Sequence, residues 1–219
     1  MTTASSGEAA LRRELIHVCR RLYERGLIAG GEGNVSARLA DGRTLVTPAG
    51  VAKCDLRPSD LAIVGGEQRA RSRGRPSTEL AMHTRIYAER PDVWAIVHAH
   101  PPVATAFAVV GETFDTPVLP EVIVALGPIG LVPYATPGTD ALAVACQNVV
   151  KGHDVLLLAN HGATTVGPSL AVAYSRMESL EHSARILLAA RLLGQVRTLT
   201  AEQVRDLVAA RDDAGRPDP

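Results

Sequence analysis

The chain has 219 residues, 46% hydrophobic and 21% charged, and its 23 Lys and Arg balance 23 Asp and Glu. That length and composition suit one α/β domain with a sizeable core and exclude a disordered or membrane-embedded chain, and no Pro/Gly/Ser-rich linker divides the interior. With no net charge there is no global field to attract nucleic acid or an anionic membrane, so neither is an expected partner and any anionic ligand must be held by local groups.

Cys19, Cys54 and Cys146 are odd in number and widely spaced. That pattern argues against a disulfide framework and against a thiolate metal site, and fits a reducing compartment. Met1 to Ala10 lacks an apolar targeting region and no run is long enough to span a bilayer, so the expected location is the cytoplasm.

In chain order, Leu11, Leu15, Val18, Cys19 and Leu22 recur at helical spacing, with Gly26 or Gly30 to stop the helix. Asn34 to Leu39 and Thr44 to Thr47 flank Asp41-Gly42, which predicts a hairpin of two short strands. Leu61 to Val64 reads as a further strand, and the basic stretch Arg69 to Arg75 as an exposed, solvated loop. A helix is expected from Pro76-Ser77-Thr78-Glu79 to about Arg90, with Ser77 as cap, Glu79 in the first turn and Pro91 as stop.

Val93 to Val97 reads as a buried strand, followed by a short helix, a Pro- and Gly-rich loop over 117–138 and a helix from Thr139 to Lys151 closed by Gly152. Val155 to Ala159 is a second buried strand. Leu170 to Leu188 has helical period, Thr200-Ala201-Glu202-Gln203 is a capping box, and the tail after Ala210 is expected to fray. Strands and helices in this order predict a single domain with a mixed central sheet and helices on both faces, its core at about 8–190 and a C-terminal helix and tail at 191–219.

The chemistry concentrates at strand ends. His98 and His100 are one residue apart, so on a strand they emerge on the same side. Pro101-Pro102 ends the run there, where a sheet meets a loop. His161 in Asn160-His161-Gly162 repeats the pattern after the second buried strand. Three neutral imidazoles with a fourth position left over suit zinc. His17, His83, His153 and His182 have no such context and read as structural or solvent-facing. Glu79 is explained on spacing alone by the helix dipole, and Ser77 and Thr78 with the free N–H groups of a helix start form an anion site suited to a phosphate.

Six motifs in register, Gly33-Asn34-Val35-Ser36, Thr47-Pro48-Ala49-Gly50, Ser77-Thr78-Glu79, His98-Ala99-His100, Tyr134 to Thr139 and Asn160-His161-Gly162, resemble the class II aldolase and adducin-head family over about residues 8 to 190. The resemblance implies that His98, His100 and His161 bind one Zn²⁺ (or Mn²⁺ or Co²⁺) per subunit. It makes Glu79 both the fourth ligand and the catalytic acid/base, and assigns Asn34, Gly50, Ser77 and Thr78 to the substrate phosphate. The fold it implies is a mixed-sheet α/β domain in a homotetramer with active sites at subunit interfaces. The expected activity is cleavage of a ketose 1-phosphate, a 5-deoxy- or 5-substituted pentulose or L-fuculose 1-phosphate, to dihydroxyacetone phosphate and a short aldehyde.

Two positions depart from the pattern. Ala49 replaces a phosphate-binding hydroxyl residue, and Glu121 in Leu119-Pro120-Glu121-Val122 stands where a tyrosine acid serves a neighbouring subunit. Because the proton donor is the part that changed, decarboxylation, dehydration or 4-epimerisation of a sugar phosphate on the same site are the alternatives. A non-catalytic adducin-head-like interaction module is a further one, disfavoured because such modules lack the three histidines.

Overall fold

The computed structural model describes residues 3–65, 75–114 and 116–213. Helix α1 (Thr3–Glu24) buries Leu15, Val18, Cys19 and Leu22 and ends where Gly26 adopts a positive φ of 66° and Leu27 N–H closes back on Leu22 O. Strands β1 (Asn34–Arg38) and β2 (Thr44–Val46) form the predicted hairpin, with Gly42 at φ 84° in its turn. β3 (Ala62–Val64) follows, then α2 (Leu80–Glu89), β4 (Ala95–Ala99), α3 (Pro102–Val110), β5 (Ile129–Val132), α4 (Asp140–Val149), β6 (Val155–Leu158), β7 (Gly162–Gly167), α5 (Leu170–Leu193) and α6 (Ala201–Asp213).

The strands form one seven-stranded sheet in the order β3-β2-β1-β4-β7-β6-β5, with only β5 and β6 parallel. Alternation along the strands divides the interior in two. Val35, Val97, Ala99 and Ala163 face a core shared with α1, α3 and α5, whereas Ile96, Leu156 and Val166 face α2 and α4. The expected mixed sheet with helices on both faces is what forms. Register decides what sits beside what: Asn34 pairs with His98 and Ser36 with Ile96 across β1 and β4, and His98 pairs with Thr164 across β4 and β7. Asn34, Ser36, His98 and Thr164 therefore lie side by side on the α2 face, at the middle of the sheet.

Three expectations need correction. The segment over 117–138 is not all loop, since it holds a π-helical turn, Val122–Leu126, and β5. β5 pairs parallel with β6, and such a short apolar run between Pro and Gly residues shows no periodicity of its own. The segment after His161 is the strand β7, so His161 sits in a tight β6–β7 connection rather than before a loop. There Asn160 takes a left-handed φ of 55°. Helix α2 begins at Leu80 instead of at Ser77, because Pro76 bridges Pro48 and Ser77 N–H bonds Thr47 O, holding this stretch extended. Ser77 Oγ accepts from Glu79 N–H, so it closes a turn ahead of the helix.

The helix after Thr200 runs past Ala210 to Asp213, its capping box made by Gln203 Oε1 accepting from Thr200 N–H and Thr200 Oγ1 from Gln203 N–H. Residues 69–74 of the basic stretch and 214–219 of the tail lie outside the described residues, and Arg75 is exposed.

Candidate metal centre

His98, His100 and His161 converge. Their ring centroids lie 4.8–5.1 Å apart, and one nitrogen from each falls within 4.8 Å of the other two. His98 comes from the last turn of pleat in β4, fully buried, and its Nδ1 lies 2.9 Å from Ala163 O and 3.1 Å from Thr164 Oγ1. A carbonyl only accepts, so Nδ1 carries the proton and Nε2 turns towards the other two rings. His100, just past the strand, has Nδ1 3.3 Å from Glu32 Oε2 and Nε2 3.3 Å from His98 Nε2. Glu79, buried, completes the group: Oε2 is 3.2 Å from His98 Nε2 and Oε1 is 3.6 Å from His161 Nε2.

Two glycines make the approach possible. Gly33 has a left-handed φ of 67°, and a methyl group there would lie 2.7 Å from His98 O. A methyl group at Gly162 would lie 2.6 Å from both Ala99 O and His100 Cδ2. Only a residue without Cβ lets one backbone rest against another at these positions.

Burial raises the Glu79 carboxyl, but the adjacent His98 ring, together with His161 and the Asn34 amide, more than offsets this and holds it well below the usual carboxylate range. Burial and the neighbouring His98 push His161 down to about 4, and the same causes lower His100. Around neutral pH these two rings are therefore unprotonated, the form that ligates metal. An ionised carboxylate facing imidazole lone pairs requires a positive charge among them. Glu79 Oε1 and His161 Nδ1 are also buried without a hydrogen-bond partner. Three imidazoles plus one carboxylate fit a divalent cation such as zinc, manganese or cobalt.

A cleft of about 300 Å³ opens beside the cluster, lined by Ala49, Gly50, Ser77 and Thr78 together with Lys53. Asn34 also borders it, but its side-chain amide is engaged at both ends, by Glu79 and by His83. Glu121 is exposed and stands elsewhere, at a separate cleft of about 360 Å³ with Arg25, His182 and Arg185. Within one subunit it does not reach the histidines' cleft.

Two residues carry more than the sequence indicates. Lys53 is 2% exposed, and its ammonium donates to Gly31 O at 2.9 Å and Val51 O at 3.0 Å; burial lowers its pKa. An isolated lysine in a loop offers no signal for this. His83, read as structural or solvent-facing, is fully buried one helical turn after Glu79. The spacing Glu79-x-x-x-His83, two polar groups stacked on one helix face, was the available clue.

Residues 13–188 match the model of the Class II Aldolase and Adducin N-terminal domain. The chain is 33% identical over 214 residues to a 3-oxo-tetronate 4-phosphate decarboxylase of Escherichia coli O6:H1, covering 94% of this chain and 99% of that one. It is 37% identical over 177 residues to the 5-methylthioribulose-1-phosphate/5-deoxyribulose-1-phosphate aldolase of Rhodospirillum rubrum, covering 80% and 79%. The crystal structure of YgbL from Escherichia coli superposes with a TM-score of 0.83 at 32% identity, covering 91% of this chain and 98% of that one.

Proposed function

Since the chain belongs to the class II aldolase and adducin N-terminal domain family, we propose that it breaks a carbon–carbon bond in a small phosphorylated carbohydrate derivative to leave dihydroxyacetone phosphate, with 3-oxo-tetronate 4-phosphate as the first substrate to consider. The single observation that carries the reaction type is the convergence of three imidazoles and Glu79 beside a cleft with polar and backbone groups for a phosphate. The adducin-like alternative has no use for such a group.

In a 3-oxo acid the bond between the carboxylate and C2 breaks, its electron pair passes into the C2–C3–oxygen system, and carbon dioxide leaves. C2 then takes one proton. A divalent cation held by His98, His100, His161 and Glu79 would supply Lewis-acid stabilisation of the negative charge that accumulates on oxygen. The remaining work falls to the chain. Ser77 and Thr78, with Gly50 and Lys53 nearby, hold the phosphate and so fix the carbon skeleton against the cluster. Glu79 Oε1, the carboxylate oxygen free of hydrogen bonds, is the group placed to pass a solvent-derived proton to C2.

Decarboxylation comes first for a chemical reason. Carbon dioxide departs without proton transfer, whereas cleavage of a ketose 1-phosphate needs a group to take the proton from the hydroxyl that becomes the aldehyde. Glu121, expected for that role, lies outside the cleft of its own subunit. Relatives matching both chains nearly end to end also favour this reading. Aldol cleavage of a 5-deoxy- or 5-substituted pentulose 1-phosphate, or of L-fuculose 1-phosphate, is the second reading, supported by the 37% identity over 177 residues to an aldolase. It assigns Glu121 to the site of a neighbouring subunit in a homotetramer.

Metal-loaded protein is to be given 3-oxo-tetronate 4-phosphate and, separately, pentulose and L-fuculose 1-phosphates, with carbon dioxide, aldehyde and dihydroxyacetone phosphate measured. Carbon dioxide plus dihydroxyacetone phosphate supports the first reading and aldehyde plus dihydroxyacetone phosphate the second. Turnover of none refutes both. The same proposal carries zinc (or manganese or cobalt) at one per subunit, a tetramer and a cytoplasmic location, to be tested by metal analysis, light scattering and fractionation.

A further inference from the structure

A line of buried side chains leads away from the cluster. Tyr87 Oη is 2.8 Å from Ser36 Oγ, which is 2.6 Å from His83 Nδ1. His83 Nε2 bonds Asn34 Oδ1, and Asn34 Nδ2 donates to Glu79 Oε2 at 2.7 Å. All five residues are buried: Tyr87 and His83 on α2, Ser36 and Asn34 on β1, and Glu79 at the start of the helix.

The protons on this line have one arrangement. The Asn34 amide presents its NH₂ to Glu79 Oε2 and its carbonyl oxygen to His83. That oxygen accepts, so His83 Nε2 carries the proton. Full burial pushes His83 down to about 3, so the ring is neutral and Nδ1 is an acceptor, taking its bond from the Ser36 hydroxyl. Ser36 in turn accepts from Tyr87. Every bond points towards the carboxylate. Were the Asn34 amide turned over, its oxygen would face the Glu79 oxygen, a like-against-like contact in a buried site, and the His83 ring would have to exchange its tautomer.

We propose that His83 is a positioning residue, which by locking the orientation of the Asn34 amide aims an N–H at Glu79 Oε2 and leaves Oε1 as the carboxylate oxygen that meets metal and substrate. The inference rests on the reading of the cluster as a catalytic metal centre. It also gives Asn34 a task distinct from holding phosphate. Orientation of a ligand carboxylate by outer hydrogen bonds is worth on the order of 10- to 100-fold in metal affinity or activity.

The test uses full-length protein loaded with Co²⁺, whose visible absorption reports ligand geometry without any substrate. His83→Phe fills the space but cannot donate to Asn34 Oδ1. It is expected to weaken Co²⁺ binding at least ~10-fold, to shift the visible band and to lower kcat while leaving KM nearly unchanged, because Gly50, Ser77 and Thr78 are untouched. His83→Gln, whose amide N–H can stand in for Nε2–H, is expected to restore the band and most of the affinity. Asn34→Asp, which deletes the donor to Glu79 directly, is expected to reproduce the Phe effect and carries the test should His83→Phe not fold.

Wild-type Co²⁺ affinity and band in folded His83→Phe, or in Asn34→Asp, overturn the proposal, as does a Gln variant no better than Phe. A wild-type enzyme that turns over no sugar phosphate, while His83→Phe still shifts the band, would sink the proposed reaction and leave the positioning role standing.

Discussion

Replacing Gly162 with alanine asks whether the metal centre depends on how closely β7 rests against β4. The added methyl would sit 2.6 Å from Ala99 O, which is backbone, and 2.6 Å from His100 Cδ2. Ordinary contact begins near 3.4 Å, so the two strands or the His100 ring must yield by about 0.8 Å. Overpacking of this kind typically costs about 1–3 kcal/mol. Metal–ligand bonds tolerate only about 0.2 Å, so the ring cannot absorb the displacement and still ligate as before.

Gly167→Ala is the control. It lies at the other end of the same strand, where a methyl would meet Ala173 N and Val172 Cγ1 at 3.0 Å, away from the histidines. Urea unfolding with chelator present gives the loss of stability, and competition against a chromophoric chelator gives zinc affinity. Both variants are expected to lose stability on this scale, with zinc affinity falling at least ~10-fold only in Gly162→Ala. Equal affinities in the two variants would refute the reasoning.

Glu79→Gln is expected to keep stoichiometric metal, since three imidazoles remain, and to lose on the order of 10²- to 10⁴-fold in kcat; unaltered turnover would remove Glu79 from proton transfer. Acid destabilises the metal-free protein through His83. Burial holds this ring at about 3 against an ordinary 6.5, so below pH 6.5 the unfolded chain takes up a proton that the folded chain refuses, and stability falls as pH drops towards 3. At pH 5 that loss is about 2 kcal/mol. Unfolding free energies from urea melts at pH 7 and pH 5 should converge by this amount in His83→Gln, and an unchanged pH slope would contradict it.

Glu181, buried on α5, accepts from Val103 N–H and Ala104 N–H at the start of α3. Glu181→Ala would strand those donors at about 1–3 kcal/mol, read by urea melts, and retention of full stability would show that the carboxylate is dispensable there.

Much of this molecule was legible in one dimension because its signals are local. The hairpin at Asp41-Gly42, the helix through Leu15 and Leu22, the capping box at Thr200 and the paired His98 and His100 each follow from periods and turn chemistry within a dozen residues. Strands β5 and β7 were not, since short apolar or Gly- and Thr-rich runs become strands only when a partner supplies the other half of the hydrogen bonds. The same limit governed the site. That His161 would meet the His98 pair was a matter of the β6–β7 turn folding back onto β4, and that His83 would touch Asn34 was a matter of α2 lying across β1. Residue types and spacings determined which groups could bind a cation; strand register and helix packing, which act between segments far apart in the chain, decided which of them share a carboxylate and which way its free oxygen points.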